Sequence, residues 1–379
     1  MQNLNNKKIL IATGGTGGHI NPALAVAGYI RENFPQAEIL FVGTAVKMEA
    51  QLVPQAGFDF KTIDIQGFSR DINFSGLKTN IKTVLKLIKS SSQAKKIIKD
   101  FQPDVVVGFG GYVSGPVLKT ACKMGIPCAV HEQNAFPGVT NKTLAKKVDC
   151  VMLTAKEAEK YMKPKNPCVV TGLPVRGEMI SADRDISRAE LNINDDKPLI
   201  LSMGGSLGAR ILNEAMTELI TERYEKNSCY FLHATGKAGV GMIDTLKNER
   251  HIDTDNNKNI MLREYIDDMF RCMSAADLLI CRAGASTLSE IQALGKPSIL
   301  IPYPYAAENH QYYNAKALVD KGAAILIEDK DLTGERLIKE VDNLLANPDT
   351  LKRMGENAKK MAILDATERI AECIGNVIK

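Results

Sequence analysis

Ile9-Leu10-Ile11-Ala12-Thr13-Gly14-Gly15-Thr16-Gly17-Gly18-His19-Ile20-Asn21-Pro22 carries an apolar run into four glycines within five positions. The helical spacing Ala23, Leu24, Val26, Ala27 and Ile30 follows. This reads as a buried strand, a turn nearly free of side chains and the start of a helix. Glycine lets backbone N–H groups approach a ligand closely, and a helix N-terminus adds partial positive charge. The expected guest is a phosphate or diphosphate. His19 stands at the mouth of the turn as its titratable side chain near neutral pH. Two familiar phosphate loops fail on particular residues. A Walker A loop needs Lys-Ser/Thr after the last glycine, where this chain has His19-Ile20. A dinucleotide fingerprint needs a third glycine at Ile20 and an acid closing the second strand, but Ile39-Leu40-Phe41-Val42 runs into Gly43-Thr44.

Outward from this unit, short apolar runs alternate with helical patterns, as in an α/β parallel sheet. Strands are predicted at 8–12, 38–42, 60–64, 104–108, 127–131, 149–153 and 167–171. A second glycine cluster, Gly108-Phe109-Gly110-Gly111-Tyr112-Val113-Ser114-Gly115-Pro116, follows Val105-Val106-Val107, and another strand delivers His131-Glu132-Gln133-Asn134. Ligands of open parallel sheets bind at the strands' carboxyl edge, where these three features fall. The opening pattern then recurs as Leu199-Ile200-Leu201-Ser202-Met203-Gly204-Gly205-Ser206-Leu207-Gly208-Ala209-Arg210. Later strands are predicted at 229–233, 259–262, 278–281, 298–301 and 324–327. Two halves that begin with one unit imply two Rossmann-like domains facing each other across a cleft, 1–176 and 177–362. The charged segment 177–197 reads as a connection, and a last amphipathic helix, about 363–379, is expected to cross back onto the first domain.

A chain of 379 residues can hold two cores. Eight scattered cysteines without a C-x-x-C pair read as reduced thiols of a cytosolic protein. Ile9 to Ala12 is too short for a signal-peptide core, and no segment reaches membrane-span length, so the protein is expected to be neither exported nor integral to a membrane. Residues 1–176 carry 23 Lys+Arg against 12 Asp+Glu, a balance of +11, while the remainder balances at −7. The first half is therefore expected to face an anionic partner. Leu77, Ile81, Val84, Leu85 and Ile88 mark one helix face, flanked by Lys78, Lys82, Lys86, Lys89, Lys95, Lys96 and Lys99. That segment reads either as a helix packed on the sheet with a solvated basic face or as a surface that meets anionic lipid headgroups. No nucleic-acid reader motif accompanies the lysines, so nucleic acid is not an expected partner.

Several stretches together resemble one family. They are Gly14–His19, Gly110–Pro116, His131–Asn134, Gly204–Arg210, Tyr265-Ile266-Asp267-Asp268-Met269, Arg282-Ala283-Gly284-Ala285-Ser286-Thr287-Leu288-Ser289-Glu290 and Asp365-Ala366-Thr367-Glu368-Arg369. In this order they resemble the MurG family of GT-B glycosyltransferases, the N-acetylglucosaminyltransferases of peptidoglycan synthesis. The resemblance implies inverting transfer of N-acetylglucosamine from UDP-GlcNAc to the C4 hydroxyl of MurNAc in undecaprenyl-diphospho-MurNAc-pentapeptide (lipid I), giving lipid II. It implies a peripheral protein at the cytoplasmic membrane face, with an anionic membrane surface and other cell-wall synthesis proteins as partners. The alternatives are a related GT-B lipid glycosyltransferase, a UDP-GlcNAc 2-epimerase of the same architecture, or a nucleotide-binding protein without turnover.

Inverting transfer needs a base for the acceptor hydroxyl and stabilisation of the departing diphosphate. His19 is the expected base, with Glu132 the other. Leaving-group stabilisation is expected from backbone N–H groups, Ser206 and Arg176, without a metal or other cofactor. The Asp-x-Asp pairs Asp183/Asp185, Asp253/Asp255 and Asp329/Asp331 lie in polar segments and read as solvated loops. By resemblance, Glu290 takes the ribose hydroxyls, Ala285, Ser286 and Thr287 present helix-start N–H groups and hydroxyls, and Ile266 offers backbone contacts to uracil. Thr16, Gly17, Gly18, Asn134 and Gln311 join the UDP-GlcNAc site. Gly14, Gly15, Gly110, Gly111, Tyr112 and Ser114 resemble an acceptor-diphosphate cradle. Where the family carries Gln-Gln, this chain has His310-Gln311, a departure at the first of the two.

Overall fold

The computed structural model describes residues 3–65, 89–205 and 207–378, without the side chains of Ala238 and Val240. Contacts divide the chain into two compact units, one running to Pro174 and resuming at Asp365, the other Val175–Leu364. The break comes two residues before the 176/177 boundary expected from sequence, so Arg176 belongs to the second unit.

The first unit is built on strands β1 (Lys8–Ala12), β2 (Glu38–Gly43), β3 (Asp59–Thr62), β4 (Val105–Gly108), β5 (Cys128–Glu132), β6 (Cys150–Leu153) and β7 (Val169–Val170). They pair in parallel in the order β3-β2-β1-β4-β5-β6-β7. At the carboxyl end of β1, Ala12 registers with Val42 on one side and Gly108 on the other. The strand order reverses there, so the loops after β1 and β4 leave the same edge as neighbours. Alternate side chains of β1 serve opposite faces. Ile9 and Ile11 join a cluster with Ala23, Val26, Ala27 and Ile30 of the helix Gly17–Asn33, while Leu10 and Ala12 pack with Val113, Val117 and Leu118 of the helix Gly111–Lys123. Burial on both faces is why these strands read as continuous apolar runs. The two edge strands are shorter or shifted relative to the sequence reading: β3 covers 59–62 and β7 only 169–170. Each has one neighbour to hold its register.

The helix Ala366–Val377 places Ile370, Ala371 and Ile374 in the cluster of Ile9 and Ile11, so the end of the chain is part of the first unit's core. Residues 89–101 are helical, with Ala94 and Ile98 buried and Lys95, Lys96 and Lys99 exposed. Lys89 pairs with Asp64 at 3.2 Å. In this stretch the lysines form the solvated face of a packed helix. The expected stripe from Leu77 to Ile88, with Lys78, Lys82 and Lys86, lies outside the described residues.

The second unit repeats the plan with β8 (Leu199–Met203), β9 (Tyr230–Ala234), β10 (Ile260–Arg263), β11 (Leu278–Cys281), β12 (Ser298–Leu300) and β13 (Ala324–Leu326). Their parallel order is β10-β9-β8-β11-β12-β13. Met203, at the end of β8, registers with Ala234 and Cys281. Segment 177–197 is more than a connection. It holds the helices Gly177–Ile180 and Arg184–Glu190, and Met179, Leu191 and Ile193 enter the second unit's core. Among the described residues, no helix is long and apolar enough to cross a membrane.

Candidate active site

In the first unit the two glycine loops meet. Gly111 has φ +78°, and a Cβ there would run into the Gly14 carbonyl oxygen. Gly110 has φ +95°, and a Cβ there would meet Cδ2 of His19 at 2.6 Å and its Nε2 at 2.9 Å. Both positions therefore exclude a side chain twice over, by backbone conformation and by neighbour. His19 lies in the first turn of the helix Gly17–Asn33, half-buried, with Nδ1 3.4 Å from the Thr16 hydroxyl. Thr16, Gly18 and Tyr112 are exposed around it. Thr16 is the N-cap and makes no side-chain cap bond.

Three expected diphosphate contacts have a polar group engaged within the protein. Ser114 is buried, its hydroxyl 2.7 Å from the Gly110 carbonyl and 3.1 Å from that of Ala12, so it fastens the loop from beneath. Gly14 is buried with its carbonyl against Gly111. The Gly15 N–H donates to Oε2 of Glu49 at 3.0 Å. Sequence reasoning missed Glu49. This fully buried carboxylate also accepts the Thr44 N–H at 3.0 Å and the Thr44 hydroxyl at 2.7 Å. A Cβ on Gly14 would meet its Oε1 at 2.5 Å, and one on Gly43 its Cγ at 2.6 Å. One acid thus accounts for two glycines. The available signal was an acid opening the helix Glu49–Gln55 shortly after β2 ends without one.

The tip of β5 holds a saturated polar cluster. Glu132 is buried, and Oε1 accepts the Asn134 N–H (3.0 Å) and side-chain amide (3.2 Å). Its Oε2 accepts the Gly138 N–H (3.1 Å) and the Asn141 amide (2.8 Å). Burial raises its pKa against the lowering effect of those donors. Glu132 thus ties the 134–141 segment to the strand, and its lone pairs are occupied where a base would need one open. His131 is buried with Nε2 2.9 Å from the Gly172 carbonyl, and burial drives its pKa down to about 4. It is a neutral core histidine.

In the second unit, Gly284 is the N-cap of the helix Ala285–Leu294 and makes no side-chain cap bond, and Ala285, Ser286 and Thr287 form the helix's first turn. Glu290, on the same helix, is paired through Oε1 with Arg176 Nη2 at 3.1 Å. Burial raises the Glu290 pKa, and the guanidinium opposes that rise. Two residues expected to bind different parts of a nucleotide sugar are therefore in contact with each other. Ile266 buries its side chain in the core. Gln311 accepts the Tyr303 N–H through Oε1 at 2.9 Å, and His310 Nδ1 lies 2.7 Å from the Ala307 carbonyl. Ser206 lies outside the described residues.

Residues 9–153 match the glycosyltransferase family 28 N-terminal domain and residues 199–370 its C-terminal domain. The chain is 47% identical over 372 residues to a protein of Acetivibrio thermocellus and 42% identical over 371 to one of Desulforamulus reducens, covering 98% or more of each. Both relatives are named UDP-N-acetylglucosamine--N-acetylmuramyl-(pentapeptide) pyrophosphoryl-undecaprenol N-acetylglucosamine transferase. The crystal structure of Acinetobacter baumannii MurG superposes with a TM-score of 0.79 at 31% identity, over 98% of this chain and 99% of that one. The chain belongs to glycosyltransferase family 28.

Within this family-28 chain the three Asp-x-Asp pairs serve local structure. Asp183 caps the helix Arg184–Glu190 through the N–H groups of Asp185 and Ile186, and Asp253 accepts the N–H groups of Asp255 and Asn256. Asp329 departs from the solvated-loop reading, since its carboxylate engages Arg282, which is itself largely buried. Beneath the glycine loop of the second unit lies a further buried chain that sequence reasoning missed. The Ser202 hydroxyl is 2.6 Å from His233 Nδ1, His233 Nε2 is 3.1 Å from Asn213 Oδ1, and the Asn213 amide donates to the Thr235 carbonyl at 2.9 Å. Burial lowers the His233 pKa to about 4. The three side chains mimic a nucleophile–base–orienter set, but all are buried, so the chain braces the loop.

Proposed function

We propose that this family-28 chain transfers N-acetylglucosamine from UDP-GlcNAc to the C4 hydroxyl of the muramoyl sugar of lipid I, with inversion, giving lipid II. The activity for which the relatives that align end to end are named supports the substrates. The observation that carries the chemistry is the seating of His19: an imidazole at the start of a helix, locked against Gly110 and flanked by exposed N–H-bearing residues. His19 takes the proton of the acceptor hydroxyl as its oxygen attacks the anomeric carbon. The bond to UDP breaks and its electron pair leaves on the diphosphate. A positioned base supplies roughly 10²–10⁴-fold in rate. Glu132 is the scaffold of the β5 tip, since all four of its hydrogen-bonding positions are filled.

Diphosphate charge is met by the helix-start N–H groups and by Arg176, with no step assigned to a metal or other cofactor. The Arg176–Glu290 contact engages one carboxylate oxygen, leaving Oε2 to accept ribose hydroxyls. The acceptor lies on the first unit, whose basic balance suits an anionic membrane surface at the cytoplasmic face, where the protein works peripherally. The test is transfer of labelled GlcNAc from UDP-GlcNAc to a lipid I analogue, beside diacylglycerol as acceptor and an assay for UDP-ManNAc. Product on lipid I, reduced at least tenfold in Glu290→Ala, is expected. Turnover confined to diacylglycerol or to UDP-ManNAc would keep the fold and discard the reaction.

A further inference from the structure

A buried polar relay ends beside His19. A carbonyl oxygen can only accept, so the 2.9 Å contact between His131 and Gly172 places the His131 proton on Nε2. His131 Nδ1 is then an acceptor, and the Gln133 amide nitrogen donates to it at 3.2 Å and to the Phe109 carbonyl at 2.9 Å. These two acceptors fix which end of the Gln133 amide is nitrogen. Its oxygen must point the other way, toward Gly110. There Oε1 is fully buried and accepts no hydrogen bond among the described residues. Buried acceptors of this kind are rare in folded proteins, and each calls for an explanation. A Cβ on Gly110 would stand 3.3 Å from this oxygen and 2.9 Å from His19 Nε2, so the two atoms flank one glycine.

We propose that Gln133 is a positioning residue for His19: a turn of the ring about the Gly110 contact brings the His19 Nε2–H to the unfilled Oε1, fixing the ring and leaving Nδ1 as the basic nitrogen. This rests on the reading of His19 as the base. Nδ1 is the nitrogen on the side of Thr16. A base whose second nitrogen is held by an orienting acceptor recurs wherever histidine deprotonates a hydroxyl. Here the orienter is a neutral amide, itself oriented by a buried histidine and a main-chain carbonyl. Gly110 is glycine because a side chain would part the two.

The experiment uses full-length protein labelled with ¹⁵N-histidine, comparing imidazole spectra and lipid I transfer kinetics of the parent, Gln133→Leu and Gln133→Glu. His19→Gln identifies the His19 signals. The parent is expected to show neutral His19 as a single Nε2–H tautomer. In Gln133→Leu the His19 signals should move toward the averaged shifts of a free imidazole, and kcat should fall 10- to 100-fold with the UDP-GlcNAc KM unchanged. Gln133→Glu, which keeps an acceptor oxygen, should retain the tautomer and raise the His19 titration midpoint. Should the leucine variant fail to fold, the glutamate variant decides: an unmoved His19 midpoint overturns the proposal. Unchanged His19 signals in folded Gln133→Leu overturn it as well, while leaving His19 as base. A fully active His19→Ala overturns both.

Discussion

The same backbone device appears twice, after β1 and after β8, and the two copies differ in what lies around them. In each, a glycine with positive φ follows the strand (Gly15 at +97°, Gly205 at +92°), and a second loop closes against the first. Gly111 abuts the Gly14 carbonyl in one unit, and Gly208 abuts the Thr235 carbonyl in the other. Beneath the first loop sits a carboxylate, Glu49, and against its partner loop an imidazole, His19. Beneath the second lies a neutral chain, Ser202–His233–Asn213, closed to solvent. The glycines make both loops possible, and the first adds the half-exposed imidazole of His19. In our reading the same fold element thus supports proton transfer in one unit and nucleotide binding in the other.

The comparison can be broken most severely at the loop contacts. Gly111→Ala puts a methyl into the Gly14 carbonyl at positive φ and is expected to destabilise the chain by about 4 kcal/mol, read from denaturant midpoints. A variant as stable as the parent would show that the two loops do not need their contact. Glu49→Ala strands the Gly15 and Thr44 N–H groups and is expected to cost roughly 3 kcal/mol while raising the acceptor KM. The equivalent cut in the second unit, Asn213→Ala, should instead raise the UDP-GlcNAc KM. If both variants act on the same substrate, the division between the loops fails.

Acid sharpens the contrast between histidines. His131 and His233 are held neutral when folded, with pKa values of about 4, below the ordinary 6.5. The unfolded chain binds more protons between these values, so stability is complete above pH 6.5 and is lost as pH falls toward 4. Each contributes a loss of about 3 kcal/mol at pH 4. Unfolding midpoints from pH 7 to 4 should fall accordingly, and His233→Gln should flatten the slope. A parent midpoint independent of pH over this range would contradict both burials. The smallest effect is expected from chelation: with the Asp-x-Asp pairs occupied in caps, turns and the Arg282 contact, EDTA should leave the transfer rate unchanged. A rate abolished by EDTA and restored by a divalent cation would reopen a metal role.

The sequence made the strands and both glycine loops legible because buried parallel strands write themselves as apolar runs and close backbone approaches demand glycine. His19 was legible for the same reason, as the titratable side chain set in a loop otherwise nearly bare. Glu49 was not, since its partners Gly15 and Gly14 lie more than thirty positions away and only the parallel pairing of β1 with β2 brings them together. The Ser202–His233–Asn213 chain has the same character, spanning β8, β9 and the helix between them. Glu132 was legible as an unusual residue at a strand tip, but its four donors come from a turn and a helix that no local pattern places there. Arg176 read as the end of the first half because the charged segment 177–197 beyond it read as a connection, whereas its ion pair with Glu290 lies within the second unit.

The most direct test of the account is kcat for GlcNAc transfer to a lipid I analogue by His19→Ala, with its unfolding midpoint measured alongside. The account predicts a fall of roughly 10²–10⁴-fold with the midpoint unchanged. Transfer at the parent's rate by a folded His19→Ala would contradict it, and would move the base away from the glycine loop around which the first unit is built.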